Sequence, residues 1–456
     1  MTTIEFQAAG RLKGQRFFSD TVDVVGMGIG PFNLSLAALL APQTSLKTIF
    51  IERQPSFQWH PGLMLDSSAL TTSFLKDLVT LADPCSQYSF IAFLQKNERL
   101  YSFANARFPT VKRKEFEQYM HWVSKSLTNL QFGCDIEAVT KEENKLVVST
   151  SKGKIRTSNL VVGVGLRPTI PACTQPYIGK EVMHSSRFRI IEPKIKGKRV
   201  VVIGGGQSGA EIINHLLNLP IDSAPSHIVW TTRRSNFLPM DDSPFVNEWF
   251  APAYSDHFYR LSAHRRNEEL KNQRLASDGI TQQLLTSIYQ RLYEIAHIEN
   301  HPGFCTLLPA RTLTSMYKAD CGLLLEIDGP EGVSAISADL VILATGSEFQ
   351  MPTALDALRF EIQTINGFPE LEEDYSVRWN KSKQPRIFFQ NAARSTRGVA
   401  DPNLSLAAWR SGKIANAILG NPVYQVGSPP SLVEWGMGDE NIYTEKNNIN
   451  LKETFK

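Results

Sequence analysis

Short, β-branched apolar runs followed by glycine-rich turns and helix-like patterns occur twice along this 456-residue chain. The runs at 21–25 and 198–203 predict strands, and the turn after each run opens a helical pattern, at 33–40 in the first case. A second apolar run follows each helix, at 47–51 and at 227–231. Apolar strands that alternate with helices are typical of parallel sheets covered on both faces. The pattern therefore predicts an α/β fold that contains two separate βαβ units.

Other periodic segments fill in the expected organisation. An amphipathic helix is predicted at 112–127 and another at 405–419, strands at 144–148, 160–164 and 339–344, and helices through most of 255–300. We expect two Rossmann-like dinucleotide-binding domains and a small, largely helical substrate-binding region. The expected boundaries are an N-terminal extension at 1–20, a first domain at 21–195 and 340–424, a second domain at 196–339 with a substrate-contacting helical segment at about 237–300, and a polar C-terminal tail at 425–456.

Composition narrows the class of protein. Hydrophobic residues make up 42% of the chain and charged residues 20%, and the net charge of +3 comes from interspersed signs, so no nucleic-acid footprint is expected. No apolar stretch approaches the roughly 18 residues of a membrane span. Five cysteines are scattered without a Cys-x-x-Cys pair, which predicts no metal site and no redox disulfide. We expect a cytoplasmic protein.

The first glycine-rich turn predicts an FAD site. Gly26 and Gly28 permit a sharp turn and a close approach of the backbone to a pyrophosphate, and the following helix directs its N-terminus at the phosphates. Pro31 stands where the third glycine of Gly-x-Gly-x-x-Gly is usual. Glu52, 24 residues after Gly28, ends the next strand, where a carboxylate can accept hydrogen bonds from ribose hydroxyls. The position near the N-terminus favours FAD.

The second glycine-rich turn predicts an NADPH site. Gly204, Gly206 and Gly209 satisfy Gly-x-Gly-x-x-Gly completely. The next strand is followed by Arg233 and Arg234 and lacks an acid at the ribose position. Arginine attracts a 2′-phosphate and can bind it bidentately, whereas an acid would repel it. NADPH is therefore expected in preference to NADH.

Several further segments make the chain similar to a known family. They are 26–35, Trp-His-Pro-Gly at 59–62, Phe-Leu-Lys-Asp-Leu-Val at 74–79, 204–210, Ser-Asp-Gly-Ile at 277–280, 344–346 and 404–410. Over about 21–420 the sequence resembles the flavin-dependent N-hydroxylating monooxygenases of siderophore biosynthesis, the lysine N6-hydroxylase and ornithine N5-hydroxylase group.

The resemblance implies a mechanism and a set of partners. NADPH reduces FAD, the reduced flavin and O2 form a C4a-hydroperoxide, and an unprotonated primary amine takes up the distal oxygen. No nucleophilic triad and no metal are needed, because the cofactor carries the chemistry. The resemblance also implies a homo-oligomer, a dimer or a tetramer.

The expected site residues fall into three groups. For FAD they are Gly26, Gly28, Gly30, Pro31, Asn33, Glu52, Trp59, His60, Thr71 and Ser405. For NADPH they are Gly204, Gly206, Gln207, Ser208, Gly209, Arg233 and Arg234. For the substrate they are Lys76, Asn247 and Ser405, with Lys76 in the place of the family lysine that contacts an amino-acid carboxylate.

Departures from the family pattern leave the substrate open. Thr71 stands where the amino-acid hydroxylases usually have glutamine, Arg397 where they have histidine, and Asn403 where glutamine is frequent. The retained Lys76 favours a lysine-like or ornithine-like substrate. The changed neighbours favour a decarboxylated amine such as putrescine, cadaverine or histamine.

Three other classes share parts of this pattern. A flavin disulfide reductase would need a redox cysteine pair near the first unit, which the chain lacks. A Baeyer–Villiger monooxygenase is disfavoured by Phe188, rather than tryptophan, close to His184, and by the Phe-Leu-Lys-Asp-Leu run. A non-catalytic flavoprotein module is the remaining alternative.

Overall fold

The computed structural model describes residues 21–108, 110–320, 322–379 and 385–436. The predicted N-terminal extension at 1–20 and residues 437–456 of the predicted tail lie outside the described residues.

Strands and helices alternate through most of the described chain. The strands are β1 Thr21–Met27, β2 Thr48–Glu52, β3 Leu130–Phe132, β4 Ile136–Glu142, β5 Lys145–Thr150, β6 Gly153–Val162, β7 Arg167–Pro168, β8 Val182–His184, β9 Arg199–Ile203, β10 His227–Thr231, β11 Cys305–Leu308, β12 Thr312–Ala319, β13 Gly322–Gly329, β14 Gly332–Ala338, β15 Leu340–Leu343, β16 Ser347–Glu348, β17 Thr364–Ile365, β18 Phe368–Pro369 and β19 Arg386–Phe389. The helices are α1 Pro31–Leu40, α2 Phe90–Lys96, α3 Leu100–Ala106, α4 Arg113–Ser126, α5 Phe188–Ile191, α6 Gln207–Leu217, α7 Pro244–Asn247, α8 Pro252–Arg260, α9 Ala263–Asn272, α10 Arg274–Asp278, α11 Gln282–Tyr293, α12 Arg394–Arg397 and α13 Ala407–Leu419.

The first sheet has seven strands and carries the first glycine-rich turn. Its strands β3, β2, β1, β6 and β19 are parallel, and β5 and β4 continue in antiparallel fashion from the first half of β6. Helix α1 packs between this sheet and α13 and is buried along almost its whole length, which explains why its sequence is apolar all round. Parallel pairing brings the ends of β1, β2, β6 and β19 to one edge.

The second sheet has five parallel strands in the order β11-β10-β9-β15-β8. Its core is formed by Val200, Val202 and Ile342 from the strands, packed against α6 and α11. The second glycine-rich turn follows β9, beside the ends of β10 and β15.

Two strands differ from the predicted domain boundaries. The predicted first domain included β8 and β15, yet both pair within the second sheet. A short apolar strand fits equally well into either parallel sheet, so its hydrophobic pattern does not encode its partner. The antiparallel sheet β12-β13-β14 was not predicted at all.

The beginning of the predicted polar tail is packed against the body of the protein. We call residues 424–436 the C-terminal strap. Tyr424 and Val426 are buried, and the indole of Trp409 donates to the carbonyl of Val426 (2.9 Å). The ring of Trp435 meets Tyr254 of α8 at 4.5 Å between centroids. Between 425 and 436, Val426 and Trp435 hold the beginning of the predicted tail against the protein, while most of its other residues are exposed.

Within the described ranges, no helix combines the length and apolar character needed to cross a membrane.

Candidate functional site

The first glycine-rich turn lets the backbone approach closely at two points. A Cβ on Gly26 would lie 2.0 Å from the ring of Phe50, so only glycine fits there. Gly28 has φ +85°, and a Cβ there would lie 2.8 Å from the carbonyl oxygen of Gly163. The turn is therefore held tightly against the strand ends.

The N-terminus of α1 is open to an anion. Gly30 is the N-cap in an extended conformation, no side chain caps the helix, Pro31 occupies its first turn, and that turn contains no acidic residue. The unsatisfied N–H groups of a helix start, together with its dipole, bind phosphate groups.

Asn33 and Glu52 both hold the turn in place. The buried Asn33 amide donates to the carbonyl of Gly28 (2.8 Å) and to that of Val161 (3.2 Å). One oxygen of Glu52 accepts from the N–H of Ile29 (3.1 Å). Asn33 thus braces the turn from beneath, whereas the half-buried Glu52 remains at the end of β2, where a ribose hydroxyl could reach it.

Orphaned polar atoms support a polar ligand in this cleft. The side-chain oxygens of Gln390 and Asn391 are buried at the end of β19 and have no hydrogen-bond partner within the described chain. The amide of Gln390 donates to Asn33 (2.8 Å), which ties this position to the turn. The narrow glycine turn, the uncapped helix and these free acceptors fit a dinucleotide such as FAD.

The Trp-His-Pro-Gly run lies where the two units touch. A Cβ on Gly62 would lie 1.8 Å from the carbonyl oxygen of Ser186, so the two backbones meet directly. Trp59 packs against Phe116 with the two rings tilted by 57° and their centroids 6.0 Å apart. His60 has a left-handed φ of +48°. Desolvation by the surrounding protein, helped by the positive charge of Arg113, lowers the pKa of His60 to about 4. Thr71 is exposed.

The second glycine-rich turn is built in the same way. Gly204 has φ +129°, and a Cβ there would lie 2.0 Å from the carbonyl oxygen of Ala344. A Cβ on Gly209 would lie 2.2 Å from the carbonyl oxygen of Gly204, so the helix can pack directly on the turn. Gly206 is the uncapped, extended N-cap of α6, and the half-buried Ser208 lies in the first turn of that helix. This end of α6 also suits a phosphate group.

Arg233 and Arg234 have different surroundings. Arg234 donates to the carbonyl of Gly205 (3.1 Å) and to that of Asp278 (2.7 Å), so its guanidinium fastens the turn to the Ser-Asp-Gly-Ile segment. Arg233 is exposed and makes no hydrogen bond or ion pair with any residue that the structure describes. Arg234 thus uses one guanidinium nitrogen, Nη1, for the protein, whereas the whole guanidinium of Arg233 is without a partner among the described residues and could bind a 2′-phosphate.

A third arginine near this cleft was missed by the sequence reasoning. Arg274 is exposed at the start of α10, and its Nε lies 3.7 Å from a carboxylate oxygen of Asp278. Its positive charge, like that of Arg233, lowers the pKa of Arg234, although desolvation is the largest cause. Arg274 lies in a charged helical stretch of the kind that covers protein surfaces, so its sequence context does not indicate a binding role.

Gln207 is a bracing residue as well. Its amide nitrogen donates to Glu211 (3.1 Å) and its oxygen accepts from the N–H of Thr281 (3.0 Å). The ring of His184 also has internal partners, the hydroxyl of Ser186 (2.8 Å) and the carbonyl of Gly346 (3.0 Å).

Lys76 sits on a turn that Asp77 fixes. The buried Asp77 carboxylate accepts from the N–H groups of Val79 (2.9 Å), Thr80 (2.7 Å) and Phe90 (2.6 Å). Lys76 itself is half-buried, and no carboxylate of the described residues lies within 4 Å of its ammonium group. Desolvation lowers the pKa of Lys76, and the negative charge of Glu248 partly opposes the shift. The site thus holds a desolvated cation without a direct anionic partner.

Asn247 ends α7 and is exposed, next to Glu248. Its amide nitrogen donates to the carbonyl of Asp242 (2.8 Å), which leaves the amide oxygen free. Glu248 was not singled out from the sequence; one of its oxygens accepts from the hydroxyl of Ser431 in the C-terminal strap (2.6 Å). Glu248 lies near enough to Lys76 for its negative charge to raise the lysine pKa, so the two predicted substrate-binding segments are neighbours.

Ser405 is buried and shapes the start of α13. Its hydroxyl and its N–H both donate to the side-chain oxygen of Asn403, at 2.7 and 2.9 Å. Its hydroxyl therefore faces an internal partner rather than an open cleft. The departure at Arg397 also has an internal role: this buried guanidinium pairs with Asp256 of α8 (2.7 Å).

Two Rossmann-like units, each with a glycine-rich turn that leads into an uncapped helix N-terminus, are the architecture of a two-dinucleotide oxidoreductase of the flavoprotein class. The sequence profile of the L-lysine 6-monooxygenase/L-ornithine 5-monooxygenase family matches residues 20–349. The chain belongs to this family, which confirms the predicted resemblance, the fold class and the class of N-hydroxylating monooxygenase.

Individual relatives agree over nearly the whole chain. The L-lysine N6-monooxygenase of Escherichia coli is 35% identical over 424 residues, which are 92% of this chain and 99% of that protein. The FAD-bound cadaverine monooxygenase DfoA of Erwinia amylovora superposes with a TM-score of 0.86 at 31% identity, covering 92% of this chain and 99% of DfoA. The ornithine N-hydroxylase KtzI of Kutzneria sp. 744, with reduced FAD, NADP+ and L-ornithine, has a TM-score of 0.82 at 27% identity, covering 88% and 99%. The predicted cofactors agree with those held by these two solved relatives, whereas the roles of individual residues stay predictions.

Proposed function

We propose that this protein uses NADPH and O2 to N-hydroxylate the terminal primary amine of a basic amino acid of the lysine and ornithine type, as a step in siderophore biosynthesis. The observation that carries the proposal is the half-buried ammonium of Lys76, which lacks a carboxylate within 4 Å among the described residues. A desolvated charge is costly unless it is paired. A substrate carboxylate would complete that pair.

The neighbouring groups suit the rest of an amino-acid head group. The free amide oxygen of Asn247 can accept a hydrogen bond from an α-ammonium group, and the carboxylate of Glu248 provides the matching negative charge. A cation and two acceptors in one place are complementary to a zwitterion. The relatives named above act on lysine, ornithine and cadaverine, so they do not choose between amino acids and diamines for this chain.

The two clefts would hold the cofactors. The turn 26–30 with Glu52 would bind FAD, and the turn 204–209 with Arg233 would bind NADPH. When bound, the flavin supplies the activation of O2 and the nicotinamide supplies the electrons. The protein must orient the amine and favour its neutral form, because an amine with a pKa near 10 is mostly protonated at neutral pH.

A substrate panel tests the proposal. Hydroxylamine formation would be measured with lysine, ornithine, cadaverine, putrescine and histamine, together with NADPH and peroxide to determine the coupling. We expect tightly coupled product formation with an amino acid. Preferential hydroxylation of a decarboxylated amine would instead support the second candidate, for which the exposed Thr71 and the negative charge of Glu248 are the favouring observations.

Substitution of Lys76 tests whether its ammonium group binds a substrate carboxylate. In Lys76→Ala, loss of a charge-assisted contact of about 1.5–3 kcal/mol should raise the KM for the amino acid by about 10- to 150-fold and leave that for cadaverine nearly unchanged. Lys96→Ala removes an exposed lysine at the end of α2 and serves as the control. An unchanged KM for the amino acid in Lys76→Ala contradicts the carboxylate role.

We also propose a cytoplasmic location, supported by the use of NADPH and by the unpaired thiols of Cys85, Cys134, Cys173 and Cys305. The family resemblance supports a homo-oligomer. Cell fractionation and sedimentation of the purified protein test these two points.

A further inference from the structure

A buried ion pair joins the two nucleotide-binding units. Arg113, the first residue of α4 in the first unit, binds Glu211 of α6 in the second unit through two hydrogen bonds, at 3.0 and 2.8 Å. The side chain of Glu211 is 2% exposed and that of Arg113 is 14% exposed. Two charges are therefore desolvated at the junction between the units, with bidentate geometry.

The carboxylate of Glu211 is also saturated by neutral donors. Ser68 of the first unit donates to one oxygen (2.9 Å), and Gln207 of the second unit donates to the other (3.1 Å). Arg113 in turn donates to the carbonyl of Leu63 (3.1 Å), directly after the contact between Gly62 and Ser186. The network thus connects four segments from both sides of the junction.

The two charges are placed unusually for their helices. Glu211 is buried in α6, although it shares its helix face with the polar residues Gln207 and His215. Arg113 begins a helix, where a positive charge is opposed by the helix dipole. Both placements are unfavourable alone, and each is explained by the other partner.

The position of Glu211 matters for the second cleft. Glu211 comes one helical turn after Gln207, at the end of α6 that faces the glycine-rich turn. Because Gln207 also accepts from the N–H of Thr281, anchoring Glu211 anchors the Ser-Asp-Gly-Ile segment as well. The direction of α6 relative to the first unit is therefore set by the contact with Arg113.

We propose that the Arg113–Glu211 pair is a positioning device that fixes the two dinucleotide clefts at the separation needed for reduction of the flavin. In this step one hydride, which carries two electrons and one proton, would pass from NADPH to FAD and leave NADP+ and reduced flavin. Hydride transfer requires near-contact, and a misplacement of about 1 Å can cost about 100-fold in rate. Replacing a buried ion pair with apolar residues often leaves the free energy of unfolding nearly unchanged. A test of domain orientation therefore reveals more about this pair than a test of stability.

The first test uses the holoenzyme of Glu211→Gln under anaerobic conditions without substrate. Glutamine keeps the size of the side chain and removes the charge. We expect the rate constant of flavin reduction at saturating NADPH to fall by about 10- to 100-fold. FAD content and the Kd for NADP+, measured by titration, should stay within about twofold of the parent. Amide hydrogen exchange should increase around 61–63 and 185–191, where the units touch.

Two further variants separate positioning from stability. The double variant Arg113→Met/Glu211→Leu removes both charges and leaves Ser68 and Gln207 without their acceptor. It should melt a few degrees below the parent, remain FAD-loaded and still reduce its flavin slowly. Asp339→Asn breaks an ion pair with Arg199 (2.6 Å) that lies within the second unit, and it should leave the reduction rate unchanged.

Defined results would overturn the proposal. Reduction at the parent rate in a folded, FAD-loaded Glu211→Gln or in the double variant would show that the pair is not needed. Loss of FAD together with equal slowing in Asp339→Asn would show a general effect on stability. Because no amine takes part in the assay, failure here is distinct from failure of the proposed substrate class.

Discussion

Two adjacent arginines should respond in opposite ways to the same substitution. Arg233 is exposed and has no partner among the residues that the structure describes, whereas Arg234 donates to the carbonyls of Gly205 and Asp278. We expect Arg233→Ala to remove a contact to the 2′-phosphate of NADPH, and Arg234→Ala to loosen the second glycine-rich turn.

The magnitudes follow from the partners lost. A hydrogen bond to a charged group contributes about 1.5–3 kcal/mol, so Arg233→Ala should weaken NADPH binding by about 10- to 150-fold. NADH lacks the 2′-phosphate, so its binding should hardly change. Arg234→Ala leaves two half-buried carbonyls without this donor, at about 1 kcal/mol each. The free energy of unfolding should therefore fall by about 2 kcal/mol, and the binding of NADPH and of NADH should weaken equally.

The assay is anaerobic flavin reduction followed at increasing concentrations of NADPH and of NADH, with thermal unfolding measured in parallel. Equal weakening of both nucleotides by Arg233→Ala would refute the phosphate role of that residue. Selective weakening of NADPH by Arg234→Ala, with unfolding unchanged, would show that its contacts to the two carbonyls are dispensable.

Two other predictions concern the first unit. Gly28→Val should abolish FAD retention, because it adds a Cβ 2.8 Å from the Gly163 carbonyl at φ +85°; Gly303→Val, at the same φ but with open space around it, should remain yellow, and a yellow Gly28→Val would contradict the assignment. The pKa of His60 is lowered from 6.5 to about 4, so between these pH values the unfolded chain binds a proton that the folded chain does not, and stability should rise with pH across this window. The rise of the melting temperature with pH should be shallower in His60→Gln than in the parent, and it should be unchanged in the exposed control His264→Gln. Equal slopes in all three proteins would contradict the pKa shift.

The architecture was predictable where local chemistry dictates it. Glycine turns after apolar strands indicate dinucleotide clefts because the turn, the strand end and the helix start are neighbours in sequence. Strand β10 was predicted with its observed bounds, His227–Thr231. The partner of β15 was not predictable, because its four apolar residues suit either sheet.

The direction of a side chain is also not encoded in a motif. Asn33, Gln207 and Arg234 belong to the predicted ligand-binding segments, yet each forms hydrogen bonds to the protein itself. Glu211 and Arg113 are more than 90 residues apart, and only the meeting of the two units explains both. Glu211 shares its helix face with polar residues such as Gln207 and His215, so the sequence pattern does not mark it as buried.

The C-terminal strap has a consequence for biosynthesis of the enzyme. Residues near the end of the chain hold α8 and Glu248, which belong to segments made almost two hundred residues earlier. Domains form as they emerge during translation, N-terminal parts first. The segments that carry Lys76 and the two glycine-rich turns are synthesised well before the strap, whereas this corner of the molecule cannot close until residue 435 has been made.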